Sequence, residues 1–259
     1  MVLTKVAMMS TQRYETRISQ LIVSGCSFTH NNHDTHVAWP NILEAWSDMQ
    51  LTNLAVPGAG NTHIANSIIL HLEKNKPNPS DTLVMVMWTG PERIDWITDK
   101  ESSKFKDAYP FTYDYDDNNE LVLGGAWWGN KPRSDVENLI IQYSKYQSDS
   151  SLALTSWLAM QSLTNYLEQN GYDYIYTSIA DLDGAEDANR WIQYTNELSE
   201  IGLSVDNPHW IQPFLYEHGK TNNVLMDDNF HVHWQGHESW VTDVLVPRLQ
   251  QAGVITNEL

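Results

Sequence analysis

Thr82-Leu83-Val84-Met85-Val86-Met87 is the stretch on which the fold turns. It is apolar without alternation. A strand with one wet face shows every second residue polar, whereas this one reads as covered on both faces, as in a parallel sheet packed between helices. Leu21-Ile22-Val23-Ser24 is a second short run of the same kind, ending at Gly25. Residues 51–55 read as a third strand, running into Pro57-Gly58-Ala59-Gly60, and residues 172–178 as a fourth. Between these lie helical spacings. Ile42, Leu43 and Trp46 fall on one face of residues 39–49, and Ile64, Ile68 and Leu72 on one face of residues 61–74, where Asn61 or Thr62 is the expected cap. Residues 151–170 form a long helical pattern closed by Gly171 at its C′ position. Residues 185–202 read as helical or mixed. Residues 236–251 read as a last amphipathic helix that Pro247 should kink or shorten. Strand and helix alternate, which predicts a three-layer α/β/α sandwich with a mainly parallel central sheet.

Residues 100–133 break this rhythm. They are rich in aromatic and charged residues, and Asp116-Asp117-Asn118-Asn119 separates two strand-like runs, 111–115 and 120–123. That is a hairpin signature. The expectation is one domain over residues 1–259, with 100–133 inserted over the carboxyl edge of the sheet as a lid. Trp127 and Trp128 in this insertion are the candidates for a substrate-stacking platform, set against the ordinary fate of tryptophan as core.

The bulk numbers exclude several functions. The 259 residues carry a formal charge of -18, and the 15 Lys and Arg are scattered, so a nucleic-acid partner is not expected. The apolar fraction of 41% supports a real core. Cys26 is the one cysteine, so no internal disulfide forms and a reducing compartment fits. Residues 1–20 resemble neither a signal peptide nor a membrane span, and a cytoplasmic location is expected.

Three segments distant in sequence carry chemistry. Loops that follow parallel strands converge at the carboxyl edge of the sheet, so sequence distance is no obstacle. Gly25-Cys26-Ser27 follows the first strand, and a serine on such a turn can present both its Oγ and its backbone N–H at the edge. On its own it reads more readily as an ordinary turn. Gly58, after the strand read over residues 51–55, can bring a bare backbone N–H against a substrate oxygen, or simply make a Pro-Gly turn. Asp228-Asn229-Phe230-His231 places a carboxylate three residues before a histidine, close enough to orient the ring and leave Nε2 to deprotonate a serine. His30, His33 and His36, with Asp34, match no strong zinc spacing and read as a solvated loop. Among His231, His233 and His237, the first is given to catalysis and the others to structure. No metal and no cofactor are expected.

These segments resemble the blocks of the SGNH (GDSL-type) serine hydrolases. Gly25-x-Ser27 is similar to the family's opening block, Asn53-x-Ala55-Val56-x-Gly58 to its second, and Asp228-x-x-His231 followed by Gly236-His237 to its last. The resemblance implies a flavodoxin-like α/β/α fold and ester hydrolysis through an acyl-serine. Ser27 would be the nucleophile, His231 the base and Asp228 its orienting acid. The Ser27 and Gly58 amides would form the oxyanion hole, with a small-molecule or carbohydrate ester as substrate. Two positions depart from the pattern. Cys26 stands where the family has Asp. The third block, Gly-x-Asn-Asp in the family, is matched by Trp88-Thr89-Gly90-Pro91-Glu92-Arg93, which has no Asn. Thr89 is the nearest side-chain donor and the candidate replacement in the oxyanion hole. Two alternatives stand beside the hydrolase: a non-catalytic carbohydrate or ligand binder, motivated by the missing Asn, and an O-acyltransferase that would use the same residues but exclude water. Acyl group, alcohol and oligomeric state are not legible.

Overall fold

The structure, a computed structural model, describes residues 14–30, 37–91, 93–99, 112–114, 118–125, 138–139, 142–143, 146–179, 209–224 and 232–258. In chain order these form strand β1 (Tyr14–Thr16), strand β2 (Gln20–Ser24), helix α1 (Trp39–Trp46), strand β3 (Gln50–Asn53) and helix α2 (Asn61–Asn75). Strands β4 (Thr82–Trp88), β5 (Arg93–Asp99), β6 (Thr112–Asp114) and β7 (Asn119–Gly125) follow, then helix α3 (Asp149–Asn170) and strand β8 (Asp173–Ser178). Helix α4 (Leu215–Thr221), helix α5 (Trp234–Trp240), a π-helical segment (Val241–Leu245), helix α6 (Val246–Gln251) and strand β9 (Ile255–Glu258) complete the described elements.

The central sheet has the order β3-β2-β4-β8, all parallel. Every residue of β4 is buried, as its unbroken apolar run demands. The order fixes the layers. The chain steps from β2 outward to β3 through α1, then back across β2 to β4 through α2, and onward to β8 through α3. Right-handed crossovers in opposite directions put their helices on opposite faces. Accordingly α2 packs on α3, while α1 packs on α5 and the π segment. The core runs through both layers: Ile64, Ile68 and Leu72 with Leu163 and Leu167 on one side, Trp39, Ile42 and Leu43 with Trp240 on the other. Trp39 and Trp240 meet edge to face at 5.8 Å. Beyond β8, Trp210 bridges Tyr176 in parallel and occupies the place of a fifth strand.

The hairpin expected around residues 116–119 is present as antiparallel β6 and β7. The antiparallel sheet is larger than the composition suggests, since β5, ahead of residue 100, pairs with β7 along its whole length in the order β5-β7-β6. Pro247 does not break the final helix. A proline ring crowds the carbonyl four residues back and donates nothing to it, and here the preceding turn widens to π geometry over Val241–Leu245 before α6 begins. β1 pairs antiparallel with β9, joining distant parts of the chain. Residues 185–202 lie outside the described residues. No helix among the described residues is long and apolar enough to cross a membrane.

Candidate functional site

In an open parallel sheet, ligands bind outside the carboxyl ends of the strands where the strand order reverses. Here the reversal lies between β2 and β4, the two adjacent middle strands of the order. The loops leaving those two strands carry Ser27 and Thr89.

Ser27 opens a single helical turn. The Cys26 carbonyl accepts the amides of both Thr29 and His30 at 3.0 Å, so the chain coils immediately after the strand. Ser27 thus stands at the amino end of that turn, half-buried, where backbone donors point outward. Gly25 is required by crowding. A methyl there would collide with the Thr29 side chain and stand 3.2 Å from the Met87 carbonyl of β4. Cys26 is fully buried and fills core, as a small apolar side chain.

The Gly58 turn lies against the Ser27 turn. Ala59 N–H donates to the Val56 carbonyl, Pro57 occupies the second position, and Gly58 the third with φ +85°. This matches a type II turn, which needs glycine at that place. Asn53 joins the two turns: its Nδ2 donates to the Thr29 carbonyl at 2.9 Å, and its Oδ1 accepts the Ala55 amide at 3.0 Å. Val56 N–H donates to the Gly25 carbonyl, and His30 Nδ1 lies 2.7 Å from the Ala55 carbonyl. His30 is therefore a strut between the turns.

Thr89 leaves β4 fully buried. Asn61 grips its backbone from both sides, Oδ1 accepting the Thr89 amide and Nδ2 donating to the Thr89 carbonyl, each at 2.9 Å. The same Nδ2 reaches Ser156 Oγ on α3. Both atoms of the Asn61 amide are thus committed to holding the β4 exit. The Thr89 hydroxyl has no hydrogen-bond partner among the described residues.

Neither Asn61 nor Thr62 caps α2. Its N-cap is Gly60, which has no side chain to offer. The cap comes from Asp95 on β5, whose Oδ1 accepts the Gly60 amide at 2.7 Å and Oδ2 the His63 amide at 2.8 Å. Burial pushes the Asp95 pKa up, and the amides of His63, Gly60 and Thr62 and the charge of Arg93 pull against it. From the same strand, Arg93 Nη1 donates to the Ala59 carbonyl at 3.3 Å. His63 is buried, its Nε2 has no partner among the described residues, and desolvation lowers its pKa to about 4.

Asp228 and His231 lie outside the described residues, as do Trp127, Trp128, His33 and His36. The residues flanking the Asp228–His231 segment meet one another: His233 N–H donates to the Val224 carbonyl at 2.8 Å. Gly236 sits tight against Val224 and Val232, since a methyl there would collide with both side chains. His237 is fully buried, and its Nδ1 accepts the Trp39 amide at the start of α1, a structural contact. A second Ser–His–Asp set, Ser239, His218 and Asp243, has the wrong geometry for a relay. A single nitrogen, His218 Nε2, faces Ser239 Oγ at 2.9 Å, Asn222 Nδ2 at 3.1 Å and Asp243 at 3.9 Å. A relay needs the two ring nitrogens on different partners. Among the described residues no three His, Cys, Asp or Glu side chains could hold a metal ion.

No family model matches the sequence, and no curated protein matches it. Solved structures do match. Protein YXIM from Bacillus subtilis superposes with a TM-score of 0.50 at 13% identity, over 92% of this chain and 58% of that one. TesA superposes with a TM-score of 0.48 at 12% identity, over 90% of this chain and 99% of its own. A GDSL-like lipase from Bacteroides thetaiotaomicron superposes with a TM-score of 0.46 at 10% identity, over 96% of each. At such identities the likeness is one of fold.

Proposed function

We propose that this chain, whose α/β/α layer is that of the SGNH/GDSL hydrolases, is a serine-dependent hydrolase of small-molecule or carbohydrate esters. The observation that carries this reading is the junction at the strand-order reversal. Ser27, at the amino end of one turn, is welded by Asn53 and Val56 to a type II turn with Gly58 at its glycine position. A plain surface turn has no need of such bracing. A nucleophile that must stand at a fixed distance from an oxyanion donor does.

In this mechanism Ser27 Oγ attacks the ester carbonyl while His231 Nε2 takes its proton. Asp228 orients the His231 ring and stabilises the imidazolium. The carbonyl π electrons move onto oxygen, where the Ser27 and Gly58 amides receive the charge. The tetrahedral intermediate collapses, the alcohol leaves with the proton from His231, and water repeats the sequence on the acyl-serine. Thr89 is the third oxyanion donor. Its support is a buried hydroxyl without a partner among the described residues, on a backbone that Asn61 holds from both sides. A buried hydroxyl left without a bond costs about 1–3 kcal/mol, which a transition-state oxygen would recover. Trp127 and Trp128 would contact the alcohol or sugar part.

The test is intact-mass detection of covalent labelling by a fluorophosphonate. The parent gains one adduct and Ser27→Ala gains none. An unlabelled parent favours the binder on the same fold. A labelled parent that transfers its acyl group to an added alcohol, and hydrolyses poorly, is the acyltransferase.

A further inference from the structure

We propose that Asp95, on the first strand of the inserted sheet, is a positioning residue for the Gly58 oxyanion turn. This rests on the hydrolase reading above and adds a residue outside every motif that led to it. Helix α2 begins three residues after Gly58 and has no side-chain cap of its own. A helix start leaves amides that must be satisfied. A serine or aspartate at the cap position would meet that need locally. Here the need is met from another sheet: the two oxygens of Asp95 take the amides of Gly60 and His63 at 2.7 and 2.8 Å.

The fit is close. A methyl on Gly60 would stand 2.6 Å from one carboxylate oxygen of Asp95 and 2.9 Å from the other. Arg93 and Asp95 are two apart on β5 and so face the same way. They hold successive residues of one loop, Arg93 at the Ala59 carbonyl and Asp95 at the Gly60 amide. Ala59 is also tied through its own amide to Val56. Gly58 therefore sits between a turn bond on one side and the Arg93–Asp95 grip on the other. A carboxylate accepts both amides most strongly while ionised; the amides and the Arg93 charge favour that state, while burial, the larger effect, opposes it and raises the pKa. The inserted sheet thereby sets the direction of the Gly58 N–H in addition to any role as a cover.

An oxyanion donor acts in the transition state and not on the bound ester. Asp95→Asn keeps the shape and loses one acceptor and the charge, so kcat for a p-nitrophenyl ester should fall, by about 100-fold if the donor moves by as much as an ångström. KM should stay within about twofold. Gly60→Ala should reproduce this split with Asp95 intact, and the double variant should be no worse than the poorer single one, because both act on one contact. Amide exchange should quicken at Gly60 and His63 and stay slow along β4, which separates a loosened loop from a failed fold. A parental kcat in Asp95→Asn, a loss carried by KM, or multiplicative losses in the double variant would overturn the assignment. A parent that the fluorophosphonate does not label overturns the hydrolase reading itself, whereas a labelled parent with an indifferent Asp95→Asn overturns only the role of Asp95.

Discussion

Thr89→Val exchanges a hydroxyl for a methyl of nearly the same size. If the hydroxyl donates to the oxyanion, turnover falls by about 100- to 1,000-fold while substrate binding holds. Steady-state kinetics on an unactivated ester measure this, and an unchanged kcat removes Thr89 from the oxyanion hole. A second residue-scale expectation concerns His63, whose folded pKa of about 4 lies below the ordinary 6.5. The unfolded chain binds the proton more readily, so stability contributed by the neutral ring is full above pH 6.5 and is lost as pH falls towards 4. The depression corresponds to about 3 kcal/mol across that window. Asp95, with its pKa raised, acts with the opposite sign, so the comparison must be between parent and His63→Leu. Urea unfolding at pH 7 and pH 5 should show the parent losing stability on acidification relative to the variant, and parallel pH dependences would contradict it. At this scale the turns after β2 and β4, where Ser27 and Thr89 stand, are legible because each follows a plain apolar run, and the turn at Gly58 is marked by Pro57-Gly58. Asp95 and the clamp of Asn61 were not legible, because their partners lie 28 to 35 residues away and no local spacing records them.

Elements end for reasons that substitutions can separate. Gly171 closes α3 with φ +72°, and a methyl on it would meet nothing within 4 Å. Gly171→Ala therefore pays only backbone strain, about 1 kcal/mol, and leaves activity alone. Gly25 is the reverse case: its difficulty is crowding against Thr29 and Met87. Gly25→Ala should cost about 1–3 kcal/mol as overpacking and should also displace the Ser27 turn. Thermal unfolding and ester turnover of the two variants check both statements, and a fully active Gly25→Ala would show that the turn tolerates the shift. The Gly171 stop was visible as a glycine after a long helical pattern. The sequence offers Asn61 or Thr62 as the cap of α2 because capping patterns are local, while the actual cap crosses from β5. Pro247 reads in the sequence as a kink or a shortening, and the structure has a π segment ahead of it. Widening one turn relieves the same clash without breaking the helix. β1 and β9 have only three and four residues, too few for a periodic signal.

At the scale of the molecule, the antiparallel sheet β5-β7-β6 starts from the carboxyl end of the parallel sheet. β5 starts at Arg93, just past the β4 exit, and runs away from it to Asp99. β7 returns antiparallel, so Gly125 pairs with Arg93 and the chain leaves β7 beside the loop that Arg93 and Asp95 hold. Trp127 and Trp128 follow two and three residues later, and such a length of chain reaches at most about 10 Å. Replacing both with Ala should change the preference between a small acetyl ester and an acetylated sugar, read as a ratio of kcat/KM values. Discrimination by apolar contacts in a pocket is worth about 1–3 kcal/mol, or roughly 10- to 200-fold in that ratio. The melting temperature should barely move, because the buried strand residues Leu121, Val122 and Leu123 already anchor this sheet without them. If instead the melting temperature drops and the preference holds, the two tryptophans belong to the core, and the substrate is chosen elsewhere along the carboxyl edge.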